Sequence, residues 1–367
     1  MNRTLLRTAA PTALALTLAL GLSACGAGNE DGGNDSGASG KAVAGTLNAA
    51  GASSQEAAVA AWKQGFQSTN PDATVNYDPV GSGGGREQFI AGGTNVAGSD
   101  AYLEDEELTK AKERCKSDII EVPVYVSPIA VIYNLPGVDE LNLSPEVAGA
   151  IFEGKITKWD DPKIKADNPD AKLPSTAITP VHRSDDSGTT ENFTDYLDQT
   201  SGGSWTGGPV ETWPIKGGEG AEGTSGVVSA VKGGKGTVGY ADASQAGDLG
   251  VAKIKVGEKF VEYTPEAAAA VVDASKPVEG RDKTDIAVQV DRKSTADGVY
   301  PIVLVSYQIA CTEYEDKEQA DLVKAWLTYV SSTEGQKAAA DGAGSAPISS
   351  DLESKIQPVV EGIKAAS

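Results

Sequence analysis

Histidine is nearly absent from this 367-residue sequence: His182 is the only one, beside three cysteines and one methionine. No Cys-x-x-Cys pair occurs. These absences exclude a His- or Cys-based metal centre, and neither a metal nor a cofactor is expected. Basic residues are also scarce. Lys and Arg number 31 against 52 Asp and Glu, a formal net charge of −21. That balance excludes nucleic acid as a partner, because a phosphate backbone needs clustered Lys and Arg. A faint P-loop at residues 232–237 has Gly236 after Lys235, where Ser or Thr must follow, and reads as a turn before a strand. No Gly-x-Ser-x-Gly nucleophile elbow is present.

Long apolar runs are missing as well. The apolar stretch at residues 9–22 is too short and too Ala-rich to span a bilayer. With Arg3 and Arg7 before it, it reads as the core of a secretory signal over residues 1–24. It ends in Leu22-Ser23-Ala24-Cys25, which resembles a bacterial lipobox and implies lipidation of Cys25. An ordinary signal peptide with an incidental cysteine is the alternative. After Cys25, residues 26–44 are mainly Gly, Ser, Asn, Asp, Glu and Ala with no apolar period, a composition that cannot repay its ordering entropy. They are expected to form a flexible tether. Export is an oxidising context. Cys115 and Cys311 are expected either to form a disulfide there or to stand as two buried thiols.

What is present is an alternation of short β-like runs with helical patterns, which predicts an α/β class. Residues 46–49, 74–80, 94–99, 177–181 and 237–240 read as strands. Val59, Trp62 and Phe66 recur on one face of a helix, and Ser53 with Glu56 suggests a capping box before it. Helices are expected around Phe89 and Ile90 and after Ser187, and a closing helix carries Leu322, Trp326 and Tyr329. Two longer β runs, residues 122–133 and 300–310, could cross between two lobes. The expected lobes are residues 45–126 with 298–367, and residues 127–297.

Three turns share a chemistry. Ser53-Ser54, Ser82-Gly83-Gly84 and Ser187-Gly188-Thr189-Thr190 each follow a strand and open a helix. A helix start presents unpaired N–H groups and partial positive charge, and small residues let an anion approach them. Alone, each is an ordinary N-cap; three together point to an anion. Arg183 offers a planar fork suited to a tetrahedral oxyanion, and Asp185 can orient it.

The string Pro180-Val181-His182-Arg183-Ser184-Asp185-Asp186-Ser187-Gly188-Thr189 resembles the phosphate loop of bacterial phosphate-binding proteins that serve the ABC phosphate transporter. Residues 47–54, 80–85 and 97–103 resemble other ligand segments of that family, and residues 133–138 and 154–162 match segments with no ligand role. The resemblance implies a two-lobed periplasmic-binding-protein fold of type II with two crossing hinge strands, no enzymatic activity, and a monomer. It implies inorganic phosphate as ligand, membrane permease subunits of an ABC importer as partners, and a place outside the membrane, anchored to it by lipid at Cys25.

The ligand residues it implies are Ser53, Ser54, Ser82 and Asp100 from one lobe, and Arg183, Ser187, Gly188 and Thr189 from the other, with Asp185 holding Arg183. Ser54 is expected to act through its backbone N–H. Asp186 stands where Gly is common in the family and adds negative charge. Asp100 is the discriminating residue: an ionised carboxylate can only accept a hydrogen bond, so it suits a ligand that carries a proton, as phosphate does and sulfate does not. The alternatives weighed are a same-fold binder of sulfate or molybdate, a secreted phosphatase or esterase built on Ser187, His182 and Asp185, and a structural lipoprotein.

Overall fold

The structure, a computed structural model, describes residues 42–367. The expected signal segment, Cys25 and all but the last three residues of the expected tether lie outside the described residues. No helix among the described residues is long and apolar enough to cross a membrane.

Nine strands form one sheet: β1 (Gly45–Gly51), β2 (Ala73–Asp78), β3 (Val96–Ser99), β4 (Ile119–Asn134), β5 (Thr179–Arg183), β6 (Glu219–Ala221), β7 (Thr237–Asp242), β8 (Gly250–Val251) and β9 (Val303–Cys311). The order is β2-β1-β3-β9-β4-β7-β5-β6, with β8 also on β4. β1 runs parallel to β2 and β3, and β5 parallel to β6 and β7. β9 is antiparallel to both β3 and β4. The helices are α1 (Glu56–Thr69), α2 (Ser82–Ile90), α3 (Asp105–Cys115), α4 (Pro145–Phe152), α5 (Pro162–Asp167), α6 (Gly188–Thr200), α7 (Gly223–Gly233), α8 (Pro265–Ala274), α9 (Lys317–Ser331), α10 (Thr333–Ala343) and α11 (Ser350–Glu361).

β4 is the element shared by two strand groups. Up to Pro128 it pairs with β9; from Ile129 onward it pairs with β7. Nearly every residue of it is buried, which explains why it is mostly Ile, Val, Tyr and Ala on both faces in place of alternation, with Glu121, Pro123, Ser127 and Pro128 as interruptions. The return crossing is tied to it by two bonds: Ile129 N–H donates to Ile302 O at 2.7 Å, and Tyr300 Oη donates to Ile129 O at 2.9 Å.

Val59, Trp62 and Phe66 are buried on α1, as their spacing predicts. Phe66 meets Trp326 of α9 edge-on at 5.4 Å between centroids, and Trp62 meets Tyr125 of β4 edge-on at 6.4 Å. A second aromatic group, Phe152, Phe193 and Tyr240, packs α4 and α6 onto β7 at 4.5–5.9 Å. Cys115 at the end of α3 and Cys311 at the end of β9 form a disulfide, with Cα atoms 5.5 Å apart.

Two local expectations fail. Ser53 does not cap α1: residues Ser53–Gln55 form a 3-10 turn, α1 starts at Glu56, and no side chain caps it. The Ser53 hydroxyl is held instead by Thr224, so a distant contact wins over the local one. The helix carrying Leu322 and Trp326 does not close the chain, because α10 and α11 follow. α10 is Ala-rich and offers little apolar contrast, whereas α11 buries Leu352, Ile356 and Val360 along one face.

Candidate anion-binding site

Four helix starts converge. They are the 3-10 turn at Ser53, then Ser82 at α2, Ser187 at α6 and Gly223 at α7. Each brings backbone N–H groups and the positive end of aligned peptide dipoles. Gly85 makes the first convergence possible: a Cβ there would lie 2.4 Å from Gly51 Cα, so α2 sits directly on the end of β1.

Asp100 follows β3 and is 3% exposed. It does not cap a helix. Its carboxylate receives the Ser54 hydroxyl at 2.7 Å to both oxygens, the Thr189 hydroxyl at 2.8 Å and the Ser306 hydroxyl at 2.5 Å. Its N–H donates to Ser82 Oγ at 3.0 Å, and its carbonyl accepts from Asn192 Nδ2 at 2.8 Å. Burial pushes the Asp100 carboxyl up; bonds from Ser306, Ser54 and Thr189 and the charge of Arg183 pull it back part of the way. Arg183, 2% exposed, ends β5 and grips Asp185 through two nitrogens, with Nε to Oδ1 at 2.7 Å. Burial pushes Asp185 up, but the bond and charge from Arg183 and the Gly223 N–H outweigh it, and its pKa falls below the ordinary carboxylate value. Asp242, also buried, is pushed up to about 6, with the Asp100 charge contributing.

The structure thus gathers Ser53, Ser54, Ser82, Asp100, Arg183, Ser187, Gly188 and Thr189. Contacts run between the two halves of the sequence-predicted set. A Cβ on Gly188 would lie 2.7 Å from Ser82 Oγ, and Thr189 reaches Asp100 directly. Ser187 caps α6 by accepting from Thr190 N–H at 3.1 Å. Ser54 differs from expectation: its hydroxyl is engaged with Asp100, so it acts through more than its backbone. The exposed Asp186 side chain accepts the Thr212 hydroxyl, while its carbonyl accepts Gly83 N–H at 3.3 Å.

Ser187, His182 and Asp185 do not form a hydrolase triad. His182 stacks on Trp213 at 4.9 Å with planes 7° apart, and its Nδ1 faces Arg183 O. Asp185 is committed to Arg183. Among the described residues no cluster of three or more His, Cys, Asp or Glu could hold a metal.

A family model described as a PBP superfamily domain matches residues 36–334. Phosphate-binding protein PstS 3 of Mycobacterium tuberculosis is 36% identical over 359 residues, 94% of this chain and 95% of the relative. Phosphate-binding protein PstS of Methanocaldococcus jannaschii is 35% identical over 75% of each chain. This chain belongs to the PstS family of the PBP superfamily. Among solved structures, a high-affinity periplasmic phosphate-binding protein bound with phosphate is similar in fold, with a TM-score of 0.72 at 23% identity, covering 86% of this chain and 93% of that one. A phosphate-binding protein from Stenotrophomonas maltophilia gives a TM-score of 0.66 at 19% identity, with 86% and 93% covered. The fold is the two-lobed periplasmic-binding-protein fold of this family.

Sequence reasoning missed several members of the site. Thr224 N–H donates to Ser53 Oγ at 3.0 Å, and Gln245 Nε2 donates to Ser53 O at 3.1 Å. The Gly223-Thr224-Ser225-Gly226 turn carries the same small-residue, helix-opening signal as the other three and could have been found by it. Arg86 was also missed. It is 5% exposed and bonds Glu211 through both terminal nitrogens at 2.9 and 2.7 Å, with Nε 3.0 Å from each Glu107 oxygen. Beside it, burial and the Glu211 charge push Glu191 up to about 7.

Proposed function

We propose that this chain captures inorganic phosphate outside the membrane and delivers it to an ABC-type phosphate importer. The observation that carries the reading is Asp100, a buried carboxylate in the middle of anion-attracting helix starts and close enough to Arg183 to feel its charge. A carboxylate in an anion site is costly unless the ligand donates a hydrogen bond to it. Phosphate at neutral pH retains a proton; sulfate does not. The family's name, shared by relatives over most of the chain, supports the same ligand.

In this mechanism residues 45–126 with 298–367 form one lobe and residues 127–297 the other. The hydroxyls of Ser53, Ser82 and Ser187, the N–H groups of Ser54, Gly188 and Thr189 and the fork of Arg183 donate to the phosphate oxygens. Asp185 fixes the fork, and Asp100 accepts a hydrogen bond from the protonated oxygen of the ligand. Because both lobes donate, the ion stabilises the closed arrangement. The surface charge of −21 does not oppose this, since screening beyond about 8–10 Å leaves the local donors in control. The chain works as a monomeric binder, not an enzyme, tethered by lipid at Cys25 and docking on permease subunits that take the ion inward.

Titration calorimetry with phosphate, arsenate, sulfate and molybdate tests this. Phosphate binds tightly, arsenate follows because it too is protonated, and sulfate and molybdate bind weakly. In Asp100→Asn the phosphate–sulfate gap narrows. A wild-type protein that prefers sulfate, or an Asp100→Asn variant with an unchanged ratio, rejects the reading.

A further inference from the structure

Behind Asp100 lies a file of buried polar side chains that the ligand does not reach. It begins in α9. Trp326 Nε1 donates to Gln308 Oε1 at 2.8 Å; Gln308 Nε2 donates to Gln55 Oε1 at 3.2 Å; Gln55 Nε2 donates to Ser306 Oγ at 2.6 Å. Ser306 then donates to Asp100 Oδ1 at 2.5 Å. Gln55, Gln308 and Ser306 are 0% exposed.

The direction of this file is fixed by chemistry at two points. An indole N–H can only donate, so Gln308 must turn its carbonyl to Trp326 and its amide nitrogen to Gln55. Tyr307 O can only accept, and it takes Gln55 Nε2 at 3.0 Å. Gln55 therefore presents NH₂ to Ser306, and the single proton of Ser306 points onward to Asp100. Ser306 could accept from a protonated Asp100 only by sending its own proton to Ser99 O, 3.4 Å away. The strand geometry serves this aim as well, because β9 has a register shift between Ser306 and Tyr307, and a bulge re-aims side chains.

We propose that the Trp326–Gln308–Gln55–Ser306 file is a positioning device that, with the Ser54 hydroxyl, holds Asp100 as an acceptor-only carboxylate and so makes the site refuse an oxyanion that brings no proton. The proposal rests on the phosphate reading and names residues that set its selectivity without touching the ligand. The hydrogen bonds in a one-way file polarise one another, so its far end contributes to its near end. The other charged or titratable groups facing Asp100 are Arg183 on β5, which favours the carboxylate, and Asp242 at the end of β7 and the Tyr77 phenol on β2, whose own ionisation its charge opposes.

The test is phosphate and sulfate affinity from pH 5 to pH 8 in the wild-type protein, Ser306→Ala, Ser306→Thr and Trp326→Phe. Losing the Ser306 donor lets Asp100 take a proton at higher pH, and a protonated Asp100 can donate to sulfate. In Ser306→Ala the preference for phosphate narrows by about tenfold at the acid end and less at pH 8. Ser306→Thr restores the wild-type profile, and Trp326→Phe shifts it in the same sense by less. If folded Ser306→Ala keeps the wild-type ratio at every pH, or weakens both anions equally, the proposal is overturned while the phosphate reading stands. A wild-type protein with no preference for phosphate overturns both.

Discussion

A methyl group on residue 188 would meet Ser82 Oγ at 2.7 Å, Asp100 Cβ at 2.8 Å and Ala101 N at 3.0 Å. The first two distances are too short for a Cβ and the third is tight, and two of the three atoms are not on movable side-chain ends. Gly188 opens α6, where alanine is acceptable to the helix itself. The strain therefore falls where the start of α6 meets the Ser82 and Asp100 segments and not on α6 alone. Gly188→Ala is expected to weaken phosphate binding by about 100-fold or more and to leave the melting temperature of the ligand-free protein nearly unchanged. Calorimetry beside a thermal melt separates the two effects, and near-wild-type affinity would show that the lobes need not approach this closely.

At the scale of elements, α2 is joined to the Glu211 segment by the paired bonds from Arg86. The Arg86 and Glu211 side chains lie outside the expected ligand shell, so in the proposed mechanism they act on closure. Glu211→Gln keeps the shape but removes one charge of a mostly buried pair. Phosphate release is expected to quicken about tenfold with little change in the association rate, read by stopped-flow with a phosphate competitor. An unchanged release rate would mean that the pair does not hold the lobes.

The same scale shows what a sequence can reveal. α1 was legible because Val59, Trp62 and Phe66 must share a face to be buried. The site loops were legible because small residues at strand-to-helix junctions have a physical reason to be there. Ser306 was not: it sits inside the buried strand β9, 206 residues from Asp100, and nothing local distinguishes it from a packed serine. Arg86 was hidden likewise, since its partner Glu211 lies 125 residues away in an irregular segment. Pairing across such separations is settled by the sheet order, which local patterns do not encode. The 3-10 turn at Ser53 follows the same rule, with Thr224 taking the hydroxyl that a helix cap would have used.

At the scale of the whole molecule, the Cys115–Cys311 bridge closes a loop across 196 residues. Its removal by a double Cys→Ser exchange is expected to cost roughly 2–5 kcal/mol of stability, measured by denaturant unfolding under oxidising conditions. No ligand residue lies on the bridge, so phosphate affinity should stay the same; a changed dissociation constant would show that it also shapes the site. The place of β9 adds a consequence for biogenesis. This strand lies between β3 and β4, yet it is the last of the nine to leave the ribosome. Until residue 311 has emerged, β3 has a bare edge and Asp100 lacks Ser306, whereas β5, β6 and β7 already have every neighbour they need. Truncation therefore affects the two sides of the binding cleft unequally: any premature stop before residue 306 leaves the Asp100 side without Ser306 and without a partner for β3.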